Sequence, residues 1–157
     1  MTYDVQPASG QFFGATFAFP VRVYYEDTDA GGIVYYANYL RFAERARTEF
    51  IRALGCSQQQ ALEAEDKCGF TVRSCTVDYK LPAVLDDTLV VTCEMREAKG
   101  ASAIMYQEIY RGETLLATVE VKVAYVDLGR KRPVRIPAEL LNKLSCLQAA
   151  PGATSAV

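Results

Sequence analysis

Residues 25–54 read YEDTDAGGIVYYANYLRFAERARTEFIRAL, and this stretch decides the fold. In its second half, apolar residues recur at three- and four-residue steps, which is the stripe of one long amphipathic helix. The residues on that stripe are Tyr39, Phe42, Ala43, Ala46, Phe50, Ala53 and Leu54. Gly55 follows as a suitable helix stop. The first half, Glu26 to Gly32, combines acidic residues with a glycine pair, which predicts a loop just before the helix.

Period-two patterns, typical of half-buried strands, lie on both sides of this helix. One such strand precedes it over residues 17–25, and Pro20 indicates that this strand starts late or lies at a sheet edge. Ser57 can cap a short second helix that runs through Glu65. Four further strands are predicted at 71–79, 88–97, 102–110 and 115–125, and a last helix at 138–147. Short glycine turns between strands favour antiparallel pairing.

The order of these elements predicts an α+β fold, with one long helix laid on a curved antiparallel sheet. The 157 residues are enough for about one domain. We expect a loose N-terminal leader over residues 1–15, the folded domain over residues 16–147, and a flexible tail over residues 148–157. No internal repeat or linker divides the chain.

Composition excludes several classes of function. The chain has no histidine, which excludes Ser-His-Asp and Cys-His catalysis and histidine-ligated zinc. A net charge of −2 gives no reason to expect nucleic-acid binding, and no apolar stretch reaches the length of a membrane span. An odd number of cysteines, five, without an export signal favours reduced thiols and a cytoplasmic location. We expect all five to be small buried apolar residues. We expect no metal and no cofactor.

The acidic loop before the long helix combines the groups that chemistry needs. A helix start presents unpaired N–H groups and a partial positive charge, and Asp27 and Asp29 place carboxylates beside it. Gly31 and Gly32 let the backbone approach a ligand closely. A carboxylate next to backbone donors is the minimum needed for hydrolysis.

Three other interpretations of the loop compete with hydrolysis. A calcium loop starting at Asp27 would place Gly31 and Asn38 where acidic ligands are needed, so it is rejected. A phosphate-binding loop would need Lys and Ser or Thr after the glycines, where Ile33 and Val34 stand. The remaining alternative, that the acidic residues only shape the turn, stays open at this point.

Residues 25–39, YEDTDAGGIVYYANY, resemble the signature of the 4-hydroxybenzoyl-CoA thioesterase superfamily. Residues 40–49, LRFAERARTE, resemble its YbgC-type branch, the Tol–Pal-associated acyl-CoA thioesterases. The resemblance implies the hotdog fold, a long helix wrapped by an antiparallel sheet. It also implies homodimers or homotetramers, with acyl-CoA bound at the dimer interface.

The resemblance assigns roles at individual positions. Asp29 matches the catalytic carboxylate, acting as nucleophile or general base, and Tyr36 marks the backbone N–H that polarises the thioester carbonyl. YbgC-type members commonly carry histidine at position 36, so the substrate preference is the property most affected here. Asp27 is interpreted as structural. The residues expected to contact substrate are Gly31, Gly32, Ile33, Val34, Tyr35 and Asn38.

The predicted function is hydrolysis of a short- to medium-chain or aromatic acyl-CoA to the free acid and CoA, with acyl carrier protein as a possible partner. The alternative is a hotdog protein that binds acyl-CoA or acyl carrier protein, or acts as a scaffold, without turnover. A hotdog dehydratase is excluded because it needs histidine. The cationic run Arg130, Lys131, Arg132 and Arg135 is either a binding patch for CoA phosphates or a solvated turn.

Overall fold

The computed structural model describes residues 1–148, which form seven strands and three helices. The helices are α1 (Asn38–Ala53), α2 (Gln58–Glu63) and α3 (Ala138–Cys146), and a 3₁₀ turn covers Tyr25–Asp27. The strands are β1 (Gln11–Phe13), β2 (Thr16–Arg22), β3 (Cys68–Tyr79), β4 (Thr88–Lys99), β5 (Ser102–Arg111), β6 (Thr114–Asp127) and β7 (Arg132–Pro133). The predicted α+β class is confirmed.

All strands belong to one antiparallel sheet in the order β1-β2-β4-β5-β6-β3, and β7 pairs with the end of β6. Hairpins join β4 to β5 and β5 to β6 through Gly100 and Gly112, which both have positive φ. Because β3 follows α1 in the chain yet lies at the far end of the sheet, the helix connection spans the whole sheet. This crossing places α1 over the inner face.

The core forms between that inner face and one side of α1. Phe42, Ala46 and Phe50 of the helix are fully buried, as are Val91 and Cys93 of β4. Burying side chains of the size of Phe stabilises the fold by roughly 1.5–3 kcal/mol each. The predicted apolar stripe therefore faces the sheet, except that Ala53 is exposed.

The N-terminal part differs from the predictions. Residues 1–15 were expected to form a loose leader, but Gln11–Phe13 pairs with β2. The Phe12 ring packs 5.1 Å from the Phe17 ring and 5.8 Å from the Phe50 ring, so apolar burial holds this hairpin. Strand β2 also ends at Arg22 rather than at residue 25. The predicted flexible tail, residues 148–157, lies outside the described residues apart from Gln148.

Strand β3 is longer than predicted and carries an irregularity. It begins at Cys68, and its pairing with β6 shifts register between Val72 and Ser74. This bulge breaks the strict alternation that the sequence suggested for residues 71–79, so Val72 and Cys75 line the same groove against α1.

Strand β3 ends the sheet, and eight of its twelve residues are exposed. Within residues 1–148, its outer edge has no strand partner. A long unpaired edge is a template for another strand. In the same part of the chain, no helix has the length and apolar character needed to cross a membrane.

Candidate active site

The acidic loop is anchored from inside by Asp27. This residue is 6% exposed, and its Oδ2 accepts a 2.8 Å hydrogen bond from the Tyr24 N–H. The Asp27 carbonyl accepts from the Tyr35 N–H and from Asn38 Nδ2, both at 2.9 Å. These bonds tie the loop to the first residue of α1, which agrees with the interpretation of Asp27 as structural.

Asp29, in contrast, is exposed at the outer side of the same loop. Its Oδ1 accepts a 2.8 Å bond from the Gly31 N–H, and its carbonyl accepts a 3.0 Å bond from the Gly32 N–H. The Asp29 N–H donates to the Ile33 carbonyl at 3.0 Å. Over residues 1–148, no donor bonds to Asp29 Oδ2. The Oδ1 atom is thus fixed by a hydrogen bond, while the Oδ2 atom has no partner among the described residues.

The glycine pair has a different role from the one expected. Gly31 and Gly32 were expected to bring the backbone close to a ligand, but the N–H groups of both donate to Asp29. Gly32 has φ +81°, a conformation that few residues other than glycine adopt. In this conformation the glycines shape the turn that holds Asp29, and their N–H groups are already bonded to that residue.

The start of α1 offers the donors that the glycines do not. The Asn38 N–H donates to the Tyr35 carbonyl at 2.8 Å. The N–H groups of Tyr36 and Ala37 bond to no acceptor in the described part of the chain. Unpaired N–H groups at a helix start carry partial positive charge and stabilise a developing oxyanion. These amides fit the polarising role that the resemblance implied for position 36.

Tyrosines form one wall beside these amides. The Tyr36 ring is 62% exposed and lies edge-to-face with the rings of Tyr35, at 4.9 Å, and Tyr79, at 6.2 Å. The Tyr79 hydroxyl donates to the Tyr36 carbonyl at 2.9 Å. Burial, followed by the neighbouring Tyr36, raises the pKa of Tyr79 above its usual value. An open cleft lies between Tyr36, Tyr79 and Leu81.

Tyr79 is not among the site residues that the sequence predicted. The available signal was its position as the last residue of the predicted strand 71–79, but nothing in the sequence placed that strand beside the loop. Of the other expected contact residues, Ile33 and Tyr35 are exposed near the cleft. Val34 lines the cleft although it is only 2% exposed. Asn38 is 7% exposed, and its side chain supports the loop through the bond to the Asp27 carbonyl.

The cationic run lies away from this loop within one chain. Arg130–Arg132 follows the end of β6, where Asp127 pairs with Cys68, the first residue of β3. Tyr79, beside the candidate site, is the last residue of β3. Eleven residues of extended strand separate the two ends by roughly 36 Å. A single chain therefore does not bring these cations to Asp29.

An antiparallel sheet packed on one long helix, with an exposed carboxylate beside the helix start, agrees with the hotdog fold that the resemblance implied. Residues 23–144 match the Thioesterase-like superfamily, and the chain belongs to this family. The predictions of the family, of the hotdog fold and of a thioesterase are thereby confirmed.

Individual relatives are close. "Acyl-CoA thioesterase YbgC" of Haemophilus influenzae is 52% identical over 124 residues, covering 79% of this chain and 90% of that protein. "Acyl-CoA thioester hydrolase YbgC" of Escherichia coli is 48% identical over 126 residues, covering 80% and 92%. The solved structure of a "Probable Thioesterase" from Bartonella henselae superposes with a TM-score of 0.73 at 34% identity, covering 76% of this chain and 98% of its own.

Proposed function

We propose that this protein hydrolyses acyl-CoA thioesters, using Asp29 and the backbone amide of Tyr36. The observation that carries the proposal is their arrangement on one loop: a carboxylate with one free oxygen stands on the same short segment as an unbonded N–H at a helix start. The names of the bacterial relatives support acyl-CoA as the substrate class.

The reaction needs only these groups. The thioester carbonyl oxygen accepts a hydrogen bond from the Tyr36 N–H, which stabilises the negative charge that develops on that oxygen. Asp29 either attacks the carbonyl carbon or takes a proton from a water that attacks it. The C–S bond then breaks, and the CoA thiolate leaves and takes up a proton. When water is the nucleophile, the free acid forms directly; when Asp29 is the nucleophile, a mixed anhydride forms, and a water molecule hydrolyses it to release the acid and restore the Asp29 carboxylate. A positioned general base contributes about 10²–10⁴-fold to the rate.

The Tyr36 side chain is not required for this step. Its hydroxyl makes no bond that holds Asp29, and the donor at this position belongs to the backbone. Tyr36→Phe should therefore change the rate little, whereas a large loss would assign a role to the hydroxyl.

We further propose that the active form is a homodimer, or a tetramer of such dimers, built on β3. This twelve-residue edge strand can pair with its own copy in antiparallel orientation and so continue the sheet. Such pairing would set the start of the partner's β3 beside Tyr79 of the first protomer. The partner's Arg130 and Arg132 would then approach this active site, where they could bind CoA phosphates.

The proposal also covers the cellular compartment and the acyl substrate. Five free thiols suit a reducing compartment, so we place the enzyme in the cytoplasm. The acyl group is carried by CoA, or alternatively by acyl carrier protein. We expect a short- to medium-chain or aromatic acyl group.

A thiol-release assay over acyl-CoAs from acetyl to palmitoyl, with benzoyl and 4-hydroxybenzoyl, tests the proposal. Asp29→Asn should lower kcat by at least about 10²-fold. Glu26→Gln is the matched control, because it neutralises an exposed carboxylate of the same loop and should leave kcat unchanged. Full activity in Asp29→Asn would refute the assignment. Binding of acyl-CoA without turnover by the wild type would favour the non-catalytic alternative.

A further inference from the structure

The start of α1 leaves one backbone carbonyl without a backbone partner. In a regular α-helix the Tyr36 carbonyl would accept a hydrogen bond from the Leu40 N–H, four residues further on. Here the Leu40 N–H donates to the Ala37 carbonyl instead, at 3.2 Å. No backbone N–H of residues 1–148 donates to the Tyr36 carbonyl. This oxygen therefore needs a donor from another part of the fold.

That donor is the hydroxyl of Tyr79, the last residue of β3. It donates to the Tyr36 carbonyl oxygen at 2.9 Å. The Tyr79 ring also contacts the ring of Tyr36, at 6.2 Å, and the ring of the buried Tyr39, at 5.4 Å. All three tyrosines line the cleft of the candidate site. The end of β3 thus holds the peptide group that joins Tyr36 to Ala37.

The same peptide group carries the unpaired N–H of Ala37. Ala37 has φ −70° and ψ −21°, and the Asn38 N–H closes a turn onto the Tyr35 carbonyl at 2.8 Å. In a turn of helical sense the N–H groups point toward its N-terminal end, which here is the loop that carries Asp29. Because the peptide unit is planar, a bond that fixes its carbonyl also fixes the direction of its N–H.

We propose that Tyr79 is a positioning residue of the thioesterase reaction, and that it aligns the Ala37 N–H beside the Tyr36 N–H as a second donor to the thioester carbonyl oxygen. This inference rests on the proposed function. Negative charge develops on that oxygen as the nucleophile adds to the carbonyl carbon, so fixed donors stabilise the transition state more than the bound substrate. Without the Tyr79 hydroxyl, water can bond the Tyr36 carbonyl but leaves the peptide group free to turn.

Tyr79→Phe tests this role, because it removes the hydroxyl and retains the ring that lines the cleft. Thiol release from the acyl-CoA that the wild type hydrolyses fastest should show kcat lowered by about 10-fold and KM changed by less than about 2-fold. Deleting an oxyanion donor outright costs about 10²–10³-fold, and the loss here is smaller because the Ala37 N–H is still present. Tyr110→Phe is the matched control, because the Tyr110 hydroxyl also makes a 2.9 Å bond, but to Glu108. It should keep the wild-type kcat and KM.

The carbonyl of the bound substrate gives a second readout. In the Asp29→Asn background, slow turnover allows infrared difference spectra of the same acyl-CoA, isotopically labelled at its thioester carbonyl carbon. Hydrogen bonding weakens the C=O bond, so the stretching band should lie at lower wavenumber in the complex than in free acyl-CoA. Adding Tyr79→Phe should move the band back toward its position in free acyl-CoA, whereas adding Tyr110→Phe should leave it in place.

The band separates positioning from structural damage. A smaller fraction of folded protein would lower kcat, but it would not move the band of the bound substrate. An unchanged kcat in Tyr79→Phe, a loss confined to KM, or an unmoved carbonyl band overturns the inference while thioesterase activity stands. Absence of turnover by the wild type on every acyl-CoA refutes the proposed function instead, and the inference falls with it.

Discussion

Tyr39→Phe should destabilise the protein although it removes a single oxygen atom. Tyr39 is 3% exposed, and its hydroxyl accepts a 2.9 Å hydrogen bond from the N–H of Ala83, which is fully buried. The ring contacts with Phe42 and Tyr79 would survive the substitution. The loss is therefore the burial of an unpaired N–H group, which costs about 1–3 kcal/mol.

Tyr79→Phe is the matched control for this effect. The Tyr79 hydroxyl also bonds a backbone group, the Tyr36 carbonyl, but Tyr79 is 44% exposed, so water can replace the bond. We expect Tyr79→Phe to change the free energy of unfolding by no more than about 0.5 kcal/mol.

Guanidinium unfolding at one fixed protomer concentration gives both free energies, with the slope m unchanged between variants. In thermal unfolding, each kcal/mol lost should lower Tm by about 2–4 °C. A Tyr39→Phe protein as stable as Tyr79→Phe would show that the buried Ala83 N–H finds another acceptor or that the Tyr39 bond adds nothing.

Two further predictions concern backbone conformation and pH. Gly55→Ala should lower the free energy of unfolding by about 1–2 kcal/mol, because Gly55 has φ +86°. Gly69→Ala, within a strand, should lower it less. Chemical denaturation of the two variants measures this difference. Burial alone would raise the pKa of Asp87, but hydrogen bonds from the Val84 N–H and the Arg111 guanidinium outweigh it and lower that pKa. A lowered pKa in the folded state stabilises the protein above the unfolded value of about 3.9, and this gain is lost as pH falls through the folded value. Asp87→Asn should therefore be less stable than wild type at pH 7 and approach it under strongly acidic conditions; equal stability at pH 7 would contradict the assignment.

Much of the architecture could be predicted because the spacing of apolar residues along the chain indicates which side of a helix or strand is buried. The stripe from Tyr39 to Leu54 and the alternation in residues 115–125 both match the structure, with α1 at Asn38–Ala53 and β6 at Thr114–Asp127. The helix ends were also predicted correctly from single residues, since Gly55 follows the end of α1 and the Ser57 hydroxyl caps α2. Phe12 was misjudged because its burial depends on Phe50, far along the chain, and not on any local pattern.

The cysteines show the same limit. All five were expected to behave as small buried apolar residues, yet only Cys93 is buried, while Cys75 and Cys146 are exposed. Cys75 lies on the edge strand β3, whose outer side no local pattern reveals. Where exposure is set by which strand ends the sheet, the sequence of that strand alone cannot predict it.

The sequence predicted different roles for the two aspartates, but not how the loop separates them, and Gly31 explains part of this separation. Asp27 and Asp29 are separated by one residue, yet the first is buried and bonded to the Tyr24 N–H while the second is exposed. Gly31 was expected to let the backbone approach a substrate, but the group that approaches it is Asp29 itself. A Cβ at residue 31 would lie 3.1 Å from Asp29 Oδ1, so the missing side chain permits the close N–H bond that orients the carboxylate. Asparagine at position 29 retains an oxygen that can accept this bond and removes only the charge. Asp29→Asn therefore tests the chemistry of the carboxylate, whereas alanine would also remove the turn that presents it.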